Sequence, residues 1–204
     1  INPDQMVAEF GADSLRLYEM FMGPLEHKKA WNTGSIIGVR RFLEKVWRLE
    51  QVVSKEQSAK NRELESLLHR TIKKVTEDIE EFKFNTAISS LMILVNEMEK
   101  IDQLPVTSYK LLLILLSPFA PHMTEELWYK IGKKKSIFLA AWPKYDVKKI
   151  VVDVVKVAVQ VNGKVRAVLE IAQGTTEEEV KARALADSNV RLYTAEKTVR
   201  KVIY

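Results

Sequence analysis

The chain has 204 residues, 47% of them hydrophobic, enough to bury the core of one ordinary domain or of one domain with a small appendage. With no cysteine it excludes a disulfide framework, a thiolate nucleophile and a cysteine-based zinc site, which suits a reducing cytoplasm. Its 32 Lys+Arg against 27 Asp+Glu leave a formal charge of +5, which admits an anionic partner without naming one.

Asn2-Pro3-Asp4 is a helix-start signal and Gly11 a stop, which predicts a short helix over 4–10. The opening INPDQ carries neither a secretory-signal pattern nor an initiator Met, so the chain is expected to be a piece of something longer. A second helix is expected over 12–22, ended by Gly23-Pro24. After the polar stretch HKKAWNTG, Ile36, Val39, Leu43, Val46 and Val53 recur at helical spacing. The same spacing returns from Leu64 through Leu68, Ile72, Val75 and Ile79 to Phe82, and again from Phe84 to Ile101, which predicts two more long amphipathic helices.

Pro105 ends that register, a further helix is expected over 106–117, and Pro118 and Pro121 break the chain before another around 122–131. The apolar run LLLILLSPFA at 111–120 is far short of the roughly 20 residues of a membrane-spanning helix and reads as buried core of a soluble protein. Helices with one apolar stripe each stack side by side, so residues 1 to about 145 predict an α-helical bundle. From Pro143 the chain turns polar and breaker-rich, and beyond it Val, Ile and Thr alternate, placing a boundary near residue 150. Strands are expected at 152–161, 164–171 and 198–204, around a helix that starts in capping-box form at Thr176 and Glu179 and a short turn of helix over 188–194. The fold class is therefore mainly α, a helical bundle followed by a small α+β domain in ββααβ order.

Asn162-Gly163 is a strong hairpin signal, but a two-residue loop pairing Val161 with Lys164 mixes apolar and cationic side chains on both faces. Parity instead predicts a three-residue loop with a bulge at Gly163, gathering Val155, Val157, Val159, Val165, Ala167 and Leu169 on one face. Lys156, Gln160, Lys164 and Arg166 would then form a cationic outer face. Such a face ordinarily does no more than keep a half-buried sheet wet. The alternative is phosphate contact, in which Lys164 and Arg166, with Arg191, Arg200 and Lys201, grip a nucleic-acid backbone.

His27, His69 and His122 lie in separate helical regions without second ligands at helical spacing, so no metal site is expected. His122, at a proline-framed helix start, is expected to satisfy local backbone groups. No nucleophile elbow, phosphate-binding glycine loop or dinucleotide fingerprint is present, and no catalytic residue is assigned. Arg40, Glu44 and Arg48 fall four apart on one polar helix face beside Arg41 and Lys45, where intrahelical pairing with Glu44 competes with ligand binding. On these residues alone, a helical scaffold or protein-interaction module with a solvated basic face remains an open alternative.

INPDQMVAEFGADSLRLYEMFMGPLE resembles the segment after the Lys-Met-Ser-Lys-Ser loop of class I aminoacyl-tRNA synthetases, where an Asn-Pro or Asp-Pro helix precedes a Gly-Ala-Asp-x-x-Arg helix. AWNTGSIIGVRRFLEKVWRL, FKFNTAISSLMILVNEM, SPFAPHMTEELW, VQVNGKVRAVLEI and TVRKVIY narrow the resemblance to the bacterial leucyl branch of class Ia. The resemblance implies stem-contact helices over 1–34, an anticodon-binding-type bundle over 35–148 and a small C-terminal tRNA-binding domain over 151–204. It further implies that the partner is tRNA(Leu), held at its body, elbow and long variable arm, together with the catalytic and editing domains of the same cytoplasmic enzyme. Asn162, Lys164, Arg166, Arg200 and Lys201 would lie near the elbow, while Arg40, Arg41 and Arg48 would face the tRNA body. The adenylate-forming motifs and the editing insertion are absent from this stretch, so no cofactor is expected here, and ATP and Mg would act in the rest of the enzyme. The family continues past the position of Tyr204 with a Pro-Gly-type turn and a final strand.

Overall fold

Three asparagines open helices by turning a side-chain oxygen onto a free backbone amide. Asn2 accepts from the Asp4 amide at 3.0 Å, Asn32 from Gly34 at 2.9 Å and Asn61 from Leu64 at 3.0 Å. They start α1 (Pro3–Phe10), α3 (Thr33–Leu49) and α4 (Arg62–Glu80), while α2 (Ala12–Phe21) begins at Gly11. After α3, β1 (Val53–Ser54) pairs in parallel with β2 (Leu104–Pro105), and α5 (Phe84–Met98) lies between them in sequence. α6 (Val106–Leu116) and α7 (Pro121–Lys130) follow, with Pro121 in the first turn of α7, where its missing N–H costs nothing. The computed structural model describes residues 2–54, 61–150, 154–172, 175–194 and 202.

The chain divides into two units, Ile1–Ile150 and Val151–Tyr204. In the first, the expected apolar stripes meet in one cluster: Ile36, Val39 and Val46 of α3, Ile72 and Val75 of α4, and Ile88, Leu91 and Val95 of α5 are fully buried. α6 is buried nearly all round, as its run of leucines requires. The Tyr109 hydroxyl at its start donates to the Val46 carbonyl at 3.1 Å, and burial with the charge of Glu50 pushes this phenol well above its usual range.

Residues 142–149, which include the polar, breaker-rich stretch after Pro143, run along α4. Trp142 Nε1 donates to Thr76 Oγ1 at 2.9 Å, the Lys73 ammonium lies 5.9 Å from the Tyr145 ring centroid, and the Asp146 amide donates to His69 Nδ1 at 3.0 Å. Lys149 closes the series on Glu65 at 2.7 Å. The partners descend α4 as the segment ascends in number, so this stretch is strapped antiparallel to the helix within the first unit.

In the second unit, β3 (Val154–Val161) and β4 (Lys164–Ala172) form an antiparallel hairpin, followed by α8 (Glu177–Ala186) and α9 (Ser188–Thr194). Thr176 Oγ1 accepts from the Glu179 amide at 3.4 Å, and Asp187 Oδ1 accepts from Asn189 at 2.9 Å and Val190 at 3.1 Å, so each helix has a side-chain cap. Both helices pack on the hairpin, where Ile171, Val180 and Val190 are buried. The fold is mainly α with a small α+β part. The strand expected over 198–204 falls, apart from Val202, outside the described residues.

Candidate nucleic-acid interface

The buried stripe of α3 leaves Arg40, Arg41, Glu44 and Arg48 exposed on its other side. Arg40 Nε lies 3.3 Å from Glu44, and its Nη1 donates to the Glu9 carbonyl at 3.3 Å, so the expected intrahelical pair forms. Arg48 does not share it. Its guanidinium is 3.6 Å from Glu99 at the end of α5, where Lys45 also binds at 2.6 Å. Arg41 has no side-chain partner among the described residues. Exposed pairs of this kind contribute at most about 1 kcal/mol, so these arginines are cheaply exchanged onto an incoming anion.

The hairpin differs from expectation at its tip. Val161 sits opposite Lys164, so the loop is the two-residue Asn162-Gly163 turn, both residues at positive φ (51° and 77°), as type I′ demands. The parity conflict is resolved one step further down. Gln160 pairs with Val165 and Val159 with Ala167, so Arg166 is the extra residue of a bulge. Below the bulge the expected faces hold, with Val157, Val159, Ala167 and Leu169 half-buried on one side and Lys156, Ala158, Val168 and Glu170 exposed on the other.

Two expectations fail for the same reason. Val165 lies on the open side, 54% exposed, instead of in the apolar face. Arg166 is half-buried instead of standing on the outer face, its guanidinium 3.8 Å from the Tyr193 ring centroid on α9. The buried Arg166 Nε has no partner among the described residues. Asn162 and Lys164 are exposed at the tip, Arg191 is exposed on the same short helix as Tyr193, and Arg200 and Lys201 lie outside the described residues. Lys156 faces Glu170 across the ladder at 3.7 Å, which neutralises the outer face away from the turn.

Two of the histidines, His122 and His69, make structural contacts. His122 Nδ1 lies 2.8 Å from Asp13, whose carboxylate also accepts from the amides of His122 (3.3 Å) and Met123 (2.7 Å). His69 accepts from the Asp146 amide, and burial, then the Lys149 charge, lower its pKa against the pull of Glu65 and Asp146. The role of Asp13 has no local signal, since its partner helix lies far along the chain.

Residues 61–182 match the family described as anticodon-binding domain of tRNA ligase. The chain is similar over its whole length to the leucine–tRNA ligase of Borrelia hermsii (strain HS1 / DAH), 48% identical over 204 residues, which are 24% of that protein. It is likewise similar to the leucine–tRNA ligase of Borrelia garinii subsp. bavariensis, 47% identical over 205 residues and again 24% of that protein. The chain therefore spans about a quarter of the length of the curated relatives it matches. Among solved structures, it is similar to the Agrobacterium radiobacter K84 agnB2 LeuRS in a ternary complex with tRNA and LeuAMS, at a TM-score of 0.71 and 29% identity, covering 100% of this chain and 29% of that one.

Proposed function

The chain belongs to the family of anticodon-binding domains of tRNA ligases, and from that membership we propose that it is the tRNA-binding C-terminal part of a leucine–tRNA ligase. In this reading the first helices join the bundle to an upstream catalytic part, the bundle lies against the body of tRNA(Leu), and the small unit takes the elbow and the long variable arm. Arg40, Arg41 and Arg48 face the tRNA body. Asn162, Lys164, Arg166, Arg191, Arg200 and Lys201 serve the elbow, with Arg166 acting through its stack on Tyr193. In this reading the enzyme works in the cytoplasm. Among the described residues no helix is long and apolar enough to cross a membrane.

The contribution to catalysis is positioning. ATP, Mg and leucine belong to the part of the enzyme that forms the adenylate, and this part fixes where the acceptor end of the tRNA reaches. Remote contacts that offset the entropy of orienting a bound substrate raise the rate at a distant centre. The observation that carries the reading is the likeness to leucine–tRNA ligases across the whole chain. In the complete enzyme, Lys164→Glu is expected to slow leucylation of tRNA while leaving ATP-dependent leucine activation unchanged. Equal loss of both activities would count against positioning.

A further inference from the structure

Three side chains of α2 fasten it to distant parts of the bundle. Asp13 accepts from the amides of His122 and Met123 and lies against the His122 ring, and Arg16, one turn on, donates through Nε and Nη2 to the Pro118 carbonyl. Tyr18 is buried against the start of α3, where its hydroxyl donates to the Asn32 carbonyl at 2.9 Å and accepts from the Asn32 amide at 3.2 Å.

The corner between α6 and α7 needs both Asp13 and Arg16. The Phe119 and Ala120 amides turn back to Leu116 at 2.9 and 3.0 Å, Pro121 has no N–H, and the His122 and Met123 amides are taken by Asp13. The Pro118 carbonyl is thereby left to a side-chain donor, and Arg16 supplies it. Asp13 and Arg16 stand three residues apart and so share one face of α2. With Tyr18 they hold the helix at two separate places, which fixes its rotation as well as its position. α1 packs on α2 and α3 with Met6 buried, so it follows α2.

We infer that Asp13 and Arg16 are positioning residues for leucylation: by holding α2 to the α6–α7 corner they fix the direction in which the upstream catalytic part meets the bundle. The inference rests on the reading of this chain as the C-terminal part of a leucine–tRNA ligase. The Arg16 side chain is exposed and its guanidinium meets a neutral carbonyl, so the contact buries little surface and directs more than it stabilises. Its Nε and Nη2 are committed to that carbonyl, and the cations proposed to meet RNA stand on α3 and in the second unit. Loosening α2 therefore leaves those cations in place and alters the angle between the two parts of the enzyme. A misplacement of about 1 Å, caused far from the chemistry, can cost on the order of 100-fold in rate.

The test uses the complete enzyme, with a thermal melt of each variant recorded beside its kinetics. Arg16→Gln is expected to lower kcat for leucylation of tRNA(Leu) on the order of tenfold, while KM for the tRNA and leucine-dependent ATP–pyrophosphate exchange stay within about twofold of the parent. Arg16→Lys, whose ammonium still donates to the carbonyl, is expected to recover to within about threefold. Asp13→Asn, which keeps one acceptor oxygen, is expected to lower kcat in the same pattern and by less than Arg16→Gln. Leucylation and exchange falling together, in step with the folded fraction, would make the contact merely structural and overturn the inference. A raised KM with kcat unchanged would make Arg16 a tRNA contact and overturn it as well. If Arg16→Gln leaves leucylation at the parent's rate while Lys164→Glu slows it, this joint is wrong and the proposed function stands. If neither variant slows leucylation, both fall.

Discussion

The Met123 amide donates a 2.7 Å hydrogen bond to the Asp13 carboxylate, joining α7 to α2 across 110 residues of chain. The same carboxylate takes the His122 amide and ring nitrogen, and Arg16, one turn along α2, donates twice to the Pro118 carbonyl at 3.2 and 3.0 Å. Asp13 thereby caps the N-terminus of α7 from another helix, while Arg16 holds the chain just before it. Both the free amides and the positive end of the α7 dipole favour a carboxylate there. Asp13→Ala is expected to lower unfolding free energy by about 2 kcal/mol in a urea titration, with Asp13→Asn losing about half as much because one oxygen still accepts. Equal stability of all three chains would remove the cap from the account.

The strap over α4 is expected to depend on pH through His69. Its Nδ1 accepts from the Asp146 amide, so the folded form needs the neutral ring, and its pKa lies below the ordinary 6.5. The unfolded chain binds the proton more readily, so the stabilisation is fully present above pH 6.5 and is lost as pH falls through the lower folded-state value. The protection factors of the amides at 144–149, taken against the intrinsic exchange rate at each pH, are expected to fall below that pH. In a His69→Ala chain this part of the pH dependence should vanish.

The Asn162-Gly163 turn can be tested apart from any contact it makes. Asn162 holds φ at 51°, which costs a β-branched side chain roughly 1–2 kcal/mol and glycine nothing. Asn162→Gly is therefore expected to melt like the parent chain, and Asn162→Val to destabilise the second unit by about that amount. Protection of the amides along β3 and β4 in hydrogen exchange reads the difference.

The helices were legible because their signals are local. Asn2-Pro3, the apolar spacing from Ile36 onward, and Pro105 and Pro121 at element starts mark α1, α3, α6 and α7, although Val53, counted with the α3 stripe, lies in β1 beyond the end of that helix. The hairpin was half legible. Parity demanded one extra residue between the valine faces and placed it at Gly163 in a three-residue loop; the loop has two residues, and the extra residue is Arg166, whose guanidinium stacks on Tyr193. Contacts that join distant parts of the chain had no such signal. Asp13 on α7, Arg48 on Glu99, the strap along α4 and Lys130 on Trp47 depend on which helices become neighbours, and periodicity fixes faces without fixing partners.

Binding of this chain to tRNA(Leu) with its long variable arm, set against the same tRNA with the arm shortened, bears most directly on the claim that it grips a leucine tRNA. At about 0.1 M salt the intact tRNA is expected to bind on the order of tenfold more tightly, with affinity falling as salt rises. Equal affinity for both RNAs, or none for either, would contradict it.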